Sequence, residues 1–109
     1  MESKKCYKIV IYTPESHADV LREAIGNAGA GKIGKYSHCT FTIKGTGRFK
    51  PLEGANPTIG EVGKFEEVPE ERIETVCEEN VLSAVLKAIK DVHPYEEPAT
   101  DVYSIEVFE

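Results

Sequence analysis

CYKIVIYTPESHADVLREAIGNAGAG, residues 6–31, changes its hydrophobic period halfway along. The first part, Cys6 to Pro14, is β-branched and aromatic. Its near-continuous apolar character predicts a central strand, closed by Pro14. Beyond it Val20, Leu21, Ala24, Ile25 and Ala28 recur at helical spacing, after Pro14 and Glu15, which suit a helix start. Gly29 and Gly31 stop the helix.

The same switch recurs downstream. YSHCTFTIKG (residues 36–45) alternates, with Cys39, Phe41 and Ile43 on one side and His38, Thr40 and Thr42 on the other, which predicts a half-buried strand with the first set inward. ERIETVCEE (71–79) places Ile73, Thr75 and Cys77 together on one face. NVLSAVLKAIKDVHP (80–94) is amphipathic, with Asn80 as the expected N-cap, Val81, Leu82, Val85, Leu86 and Ile89 as its stripe and Pro94 as its end. ATDVYSIEVF (99–108) predicts the last strand. The order strand, helix, strand, strand, helix, strand predicts a ferredoxin-like split βαβ sandwich of the α+β class, a four-stranded antiparallel sheet with two helices on one face. Residues 1–109 are expected to form a single domain. The uncovered sheet face, expected to carry threonines, tyrosines and charges, predicts a homo-oligomer.

The chain has 109 residues, 40% of them hydrophobic and 29% charged, with a formal net charge of −6. An acidic balance argues against a nucleic-acid partner, since phosphate binding needs a basic surface. No stretch approaches the roughly 20 apolar residues of a membrane span, and Met1 to Lys5 does not resemble a signal peptide. Cys6, Cys39 and Cys77 are odd in number and show no CxxC spacing, which disfavours a disulfide scaffold or a zinc knuckle. A cytoplasmic chain with reduced thiols is expected. Cys39 and Cys77 are expected inside, and Cys6 exposed near the terminus.

GTGRFKPLEGANPTIGEVG (45–63) holds five glycines and two prolines. It is no P-loop, because that motif needs GxxxxGK[ST] running into a helix, and these glycines precede a strand. Its glycines are expected to supply positive φ in a long excursion. Loops of this length commonly bind something. Arg48 and Lys50 are the candidate anion contacts, with Thr46 beside them and Phe49 as a stacking surface. In GAGKIGKYSHC (29–39), Lys32, Lys35 and His38 flank a glycine turn able to form an anion nest. In HPYEEP (93–98), His93, Tyr95, Glu96 and Glu97 combine an imidazole, a phenol and two carboxylates. Pro94 and Pro98 stiffen the segment, and His93, at a helix C-terminus, is placed where an imidazolium is favoured. An interface role suits this segment better than catalysis, and no catalytic residue is assigned. No two histidines stand at i, i+2 or i, i+4, so no cofactor is named, and a divalent metal would need a site assembled in three dimensions.

The runs GAGKIGKYSHCTF, GTGRFKPLEGANPTIG and HPYEEPA resemble the middle domain of the Nif-three-like proteins, which carry the name of type 2 GTP cyclohydrolase I homologues. The resemblance spans Tyr7 to Tyr103. It implies a fold similar to CutA and PII proteins and, by analogy with them, a trimer in preference to a dimer. In that family the dimetal ligands lie on flanking segments, which this sequence is expected to lack, so the metal site is not carried over. PII-like proteins hold anionic ligands between subunits beside a long loop after the second strand, which adds weight to the 45–63 loop. The expected function is a non-catalytic sensing or accessory module binding a small anionic ligand, a metal ion or a protein partner. The alternatives are a metal-dependent hydrolase and a purely structural interaction module.

Overall fold

Strand β1 (Ser3–Pro14) leads into helix α1 (Glu15–Asn27), followed by β2 (Phe41–Phe49), β3 (Glu66–Cys77), α2 (Leu82–Val92) and β4 (Thr100–Phe108). These bounds come from a computed structural model, which describes residues 1–108. The strands form one antiparallel sheet in the order β2-β3-β1-β4. The apolar run of β1 is central, as its composition predicts.

One sheet face carries both helices. Ile9 and Ile11 of β1, Ile73 and Cys77 of β3, Leu21 and Ile25 of α1 and Val85 and Ile89 of α2 form one buried cluster. The two-residue alternation then sends Lys8, Val10 and Tyr12 to the opposite face, with their register partners Val76, Glu74 and Arg72. Arg22 of α1 ties the helical layer to the sheet. Its guanidinium donates to Glu71 at 2.7 Å and to Thr42 at 3.2 Å.

Helix α1 ends in a Schellman motif. Gly29, at φ +114°, follows the C-cap Ala28, while Ala30 N–H reaches Ile25 C=O and Gly29 N–H reaches Gly26 C=O. Ile25 and Ala30 close it with an apolar contact inside the core. Helix α2 stops because a residue before proline is pushed out of the helical region; His93 adopts φ −68°, ψ 133°. Its start differs from expectation. A 3-10 turn over Glu79–Val81 precedes the helix, and Asn80 makes no side-chain cap.

The second strand departs most from the sequence reading. It begins at Phe41 and runs through Gly45 and Gly47 to Phe49. Tyr36 to Thr40 lie before it. Its inward set is also reversed, because Thr42 faces α1 while Phe41 and Ile43 lie on the uncovered face, 65% and 49% exposed. Alternation alone gives two faces but not which one is covered. Cys39, half-buried, sits outside the strand, and its carbonyl accepts from Thr75 Oγ1. Cys6 is buried rather than exposed, at 2% exposure. β3 starts earlier than expected, at Glu66. Pro69 is accommodated because β1 pairs with β3 only as far as Glu70, leaving that stretch a neighbour on one side alone.

Truncating Leu21, fully buried where α1 meets the sheet, is expected to cost about 2–5 kcal/mol. Urea unfolding of Leu21→Ala measures this.

Candidate functional site

Beyond the helical layer β2 and β3 continue as an extended ribbon, joined by residues 50–65. Gly54, Gly60 and Gly63 there have positive φ, as expected, whereas Gly45 and Gly47 are strand residues without it. Gly47 has a different task. A Cβ at this position would collide with the carboxylate of Glu70, so glycine admits that side chain across the face of β2.

A cavity of about 460 Å³ opens at this end of the sheet. Phe49, Pro51 and Ala55 give it an apolar wall, Arg48 and Lys50 line one side, and Glu96 and Glu97 line another. Tyr12 and Glu70 complete it from the sheet. Two segments about 40 residues apart are stitched together here. Asn56 N–H donates to Glu96 Oε2 at 3.1 Å, and Thr58 Oγ1 donates to the Pro94 carbonyl at 2.6 Å. The Phe49 and Tyr95 rings meet edge to face at 5.9 Å between centroids.

Tyr95 is the hinge of this arrangement. Its hydroxyl donates to Glu70 Oε2 at 2.8 Å. Burial, with the Glu70 hydrogen bond and charge, raises its phenol well above the ordinary tyrosine range. Glu70 is itself only 9% exposed. Behind Tyr95 lies His93, 8% exposed. Its Nε2 stands 2.7 Å from the Tyr12 carbonyl, which only accepts, so Nε2 carries the proton. Its Nδ1 accepts from Tyr95 N–H at 3.1 Å. Both nitrogens are occupied by backbone partners, which fixes the neutral Nε2–H tautomer. Burial lowers its pKa, outweighing the opposing effects of the Tyr12 bond and Glu70. The expectation of a favoured imidazolium at the helix end is therefore corrected: desolvation outweighs the helix terminus.

Arg48 lies over the Phe65 ring at 4.0 Å, with Lys50 at 5.3 Å from the same centroid, and Arg48 is 3.8 Å from Glu67. Both cations are exposed and held on the rim. The other candidates lie elsewhere. Thr46 is exposed and does not line the cavity. Lys32 lines a separate cavity with Cys6, Cys77 and Phe108. Cys6 and Tyr12 are six residues apart on β1, about 20 Å at strand rise, so the two cavities sit at opposite ends of the sheet. Lys35 occupies the tip of a small turn closed by reciprocal Ile33 and Tyr36 backbone bonds. His38, at φ +61°, bonds Asn27 Oδ1 at 2.9 Å and covers Gly26. The sequence reading united all three motifs on one surface; the fold joins two of them and places the third at the far end.

Tyr12 and Glu70 were missed. Tyr12 lies in a run read as core, though alternation puts it off the helical face. Glu70 lies just before the alternating run 71–79 from which the strand was expected to begin. Among the described residues no three His, Cys, Asp or Glu side chains converge as metal ligands, and burial raises the pKa of the Cys77 thiol away from the nucleophilic thiolate.

The folded-state pKa of His93 lies below its ordinary 6.5. The folded protein thus binds fewer protons than the unfolded chain, and this stabilisation is complete above about pH 6.5 and lost as pH falls towards the folded value. Urea midpoints between pH 8 and 5 should decline on the acid side, less steeply in His93→Asn.

No family model matches the chain. It is 52% identical over 103 residues to the GTP cyclohydrolase 1 type 2 homolog of Halalkalibacterium halodurans, covering 94% of this chain and 28% of that protein. The Bacillus subtilis homolog of the same name is 52% identical over 99 residues, covering 91% and 26%. The solved Bacillus cereus protein related to NIF3 superposes with a TM-score of 0.81 at 45% identity, over 96% of this chain and 27% of that one. CutA from Archaeoglobus fulgidus shares the fold, with a TM-score of 0.65 at 18% identity over 92% of this chain and 83% of that one. The chain spans about a quarter of the length of the curated relatives it matches. It is similar to a quarter-length region of the GTP cyclohydrolase 1 type 2 homologues and of a protein related to NIF3, and it has the fold of the CutA and PII-like proteins.

Proposed function

We propose that the chain is a non-catalytic, self-associating module that binds a small anionic ligand in the cavity between the β2–β3 ribbon and the 93–98 segment. The observation carrying this reading is the convergence of those two segments on one apolar-walled cavity with Arg48 and Lys50 at its rim. Within it the acid–base candidates are committed to structure. His93 uses both nitrogens on backbone groups, and Tyr95 and Glu70 bond to each other. A solved protein of this fold, CPII from Thiomonas intermedia, is described as bound to ADP, AMP and acetate, all anions. In this reading the two exposed cations supply charge recognition and Phe49 a flat apolar contact.

Self-association is supported by the uncovered sheet face, where Phe41, Ile43 and Tyr103 are each about half exposed or more. Apolar side chains gathered on one face mark an interface, and a trimer is the assembly proposed. A second reading, docking of a protein partner, is favoured by exposed Leu52, Val62 and Phe65 on the 50–65 connection.

Native mass spectrometry of the untagged chain is expected to give three-chain assemblies. Phe41→Asp combined with Ile43→Asp should give monomers with an unchanged circular dichroism spectrum. For the ligand, calorimetric titration with ADP is expected to show binding that Arg48→Ala/Lys50→Ala weakens at least tenfold while the fold is kept. Equal affinity in the double variant overturns the assignment of those cations.

A further inference from the structure

We propose that His93 is a proton-operated latch on the cavity: protonation at Nδ1 releases Tyr95 and opens the wall formed by residues 94–98. This inference concerns regulation of the cavity and rests on its being a binding site.

The latch follows from hydrogen-bond directions. In the closed state Nδ1 is an acceptor, and the group facing it at 3.1 Å is the Tyr95 N–H. The other nitrogen cannot take up a further proton, because its N–H already points at the Tyr12 carbonyl, 2.7 Å away. A proton arriving on the ring must therefore go to Nδ1. It converts the acceptor into a donor, so two N–H groups face each other and the bond is lost. The imidazolium keeps its bond to Tyr12, which anchors the ring to β1 while the 94–98 segment is freed.

Tyr95 transmits the change. Its backbone holds to His93, its hydroxyl to Glu70, and its ring lies against both His93, at 5.2 Å between centroids, and Phe49. Displacing its backbone moves all of these together. The neighbouring contacts, Thr58 to the Pro94 carbonyl and Asn56 to Glu96, span the same opening. Pro94 and Pro98 on either side each fix their own φ and so stiffen the segment.

The charged groups around His93 set the balance. Glu70 of β3 favours the imidazolium, and His17 of α1 disfavours it. In the closed state Glu70 accepts from Tyr95. When Tyr95 leaves, that carboxylate loses its phenol partner and becomes the counter-charge to the imidazolium. Glu70 thus has a partner in each state, the condition for a two-state element rather than a gradual loosening.

The test is an NMR titration of the assembled protein from pH 8 to 5, following the His93 ring nitrogens and the Tyr95 and Asn56 amides. The expected result is one shared midpoint below pH 6.5 for all three, while core amides such as those of Ile9 and Leu21 stay in place. In His93→Asn the Tyr95 and Asn56 amides should no longer show that midpoint. Should this variant fail to fold, Tyr95→Phe serves in its place: it weakens the closed state by removing the Glu70 bond, and should raise the midpoint by roughly one pH unit. His93 titrating with the Tyr95 and Asn56 amides unmoved, the amide transition persisting in His93→Asn, or every amide shifting together in global unfolding would each overturn the latch. The titration needs no ligand. A cavity that fails to bind ADP leaves its outcome intact, and a wall that stays closed leaves the binding reading intact.

Discussion

The two hydrogen bonds that join Tyr12 to the chain before β4 hold the cavity end of this protein together. Tyr12 N–H donates to the Ala99 carbonyl, and the Tyr12 carbonyl accepts from His93 Nε2. Tyr12 lies near the end of β1, one residue beyond its last pair with β4. With both its backbone groups engaged, the segment between α2 and β4 is drawn across the sheet edge. Tyr95 then meets Glu70 and Phe49, and the β2–β3 ribbon gains something to close against. Pro94 makes this geometry available by ending α2 where His93 can turn inward.

The sheet works in two directions. Its helical face is dry and closed by one cluster that draws on both helices and the central strands. Its other face mixes Lys8, Arg72 and Glu74 with Phe41, Ile43 and Tyr103. Arg72 donates to the Tyr12 hydroxyl at 2.9 Å and to Glu74 at 3.0 Å, so much of the charge there is satisfied within the face. Phe41, Ile43 and Tyr103 remain outward, with the exposed Asp101 beside them. The ribbon beyond the helices uses the same alternation for another end: Gly47 leaves room for Glu70, and Phe49 faces the cavity. The outward apolar residues Phe41 and Ile43 and the cavity residue Phe49 thus lie on neighbouring stretches of one strand.

The sandwich was legible because each element carries its own period. Ile9 and Ile11, Leu21 and Ile25, Ile73 and Cys77, Val85 and Ile89 all stand on the faces that their spacing assigns. The errors share one origin. Phe41 and Ile43 were placed inward because they are apolar, yet which face of an edge strand is covered depends on where the helices lie. Cys6 is buried although it stands near the terminus, because β1 pairs there with β4, Cys6 opposite Ile105, and with β3 from Tyr7 onward. Of the candidate residues, Arg48, Phe49, Lys50, Tyr95, Glu96 and Glu97 meet at one cavity and His93 supports it. Lys32, Lys35 and His38, equally suggestive as a glycine-rich motif, lie at the far end of the sheet.

Periodicity, proline and glycine are local, and through them the amino-acid order by itself determined the strands, the helices, their sequence along the chain and the turns at Gly29 and Pro94. The pairing of Glu70 with Tyr95, the neutral state of His93 and the choice of outward face on β2 were decided by tertiary structure alone. Each depends on groups brought together from distant positions, and burial, hydrogen-bond direction and desolvation take their values only once those groups share a site.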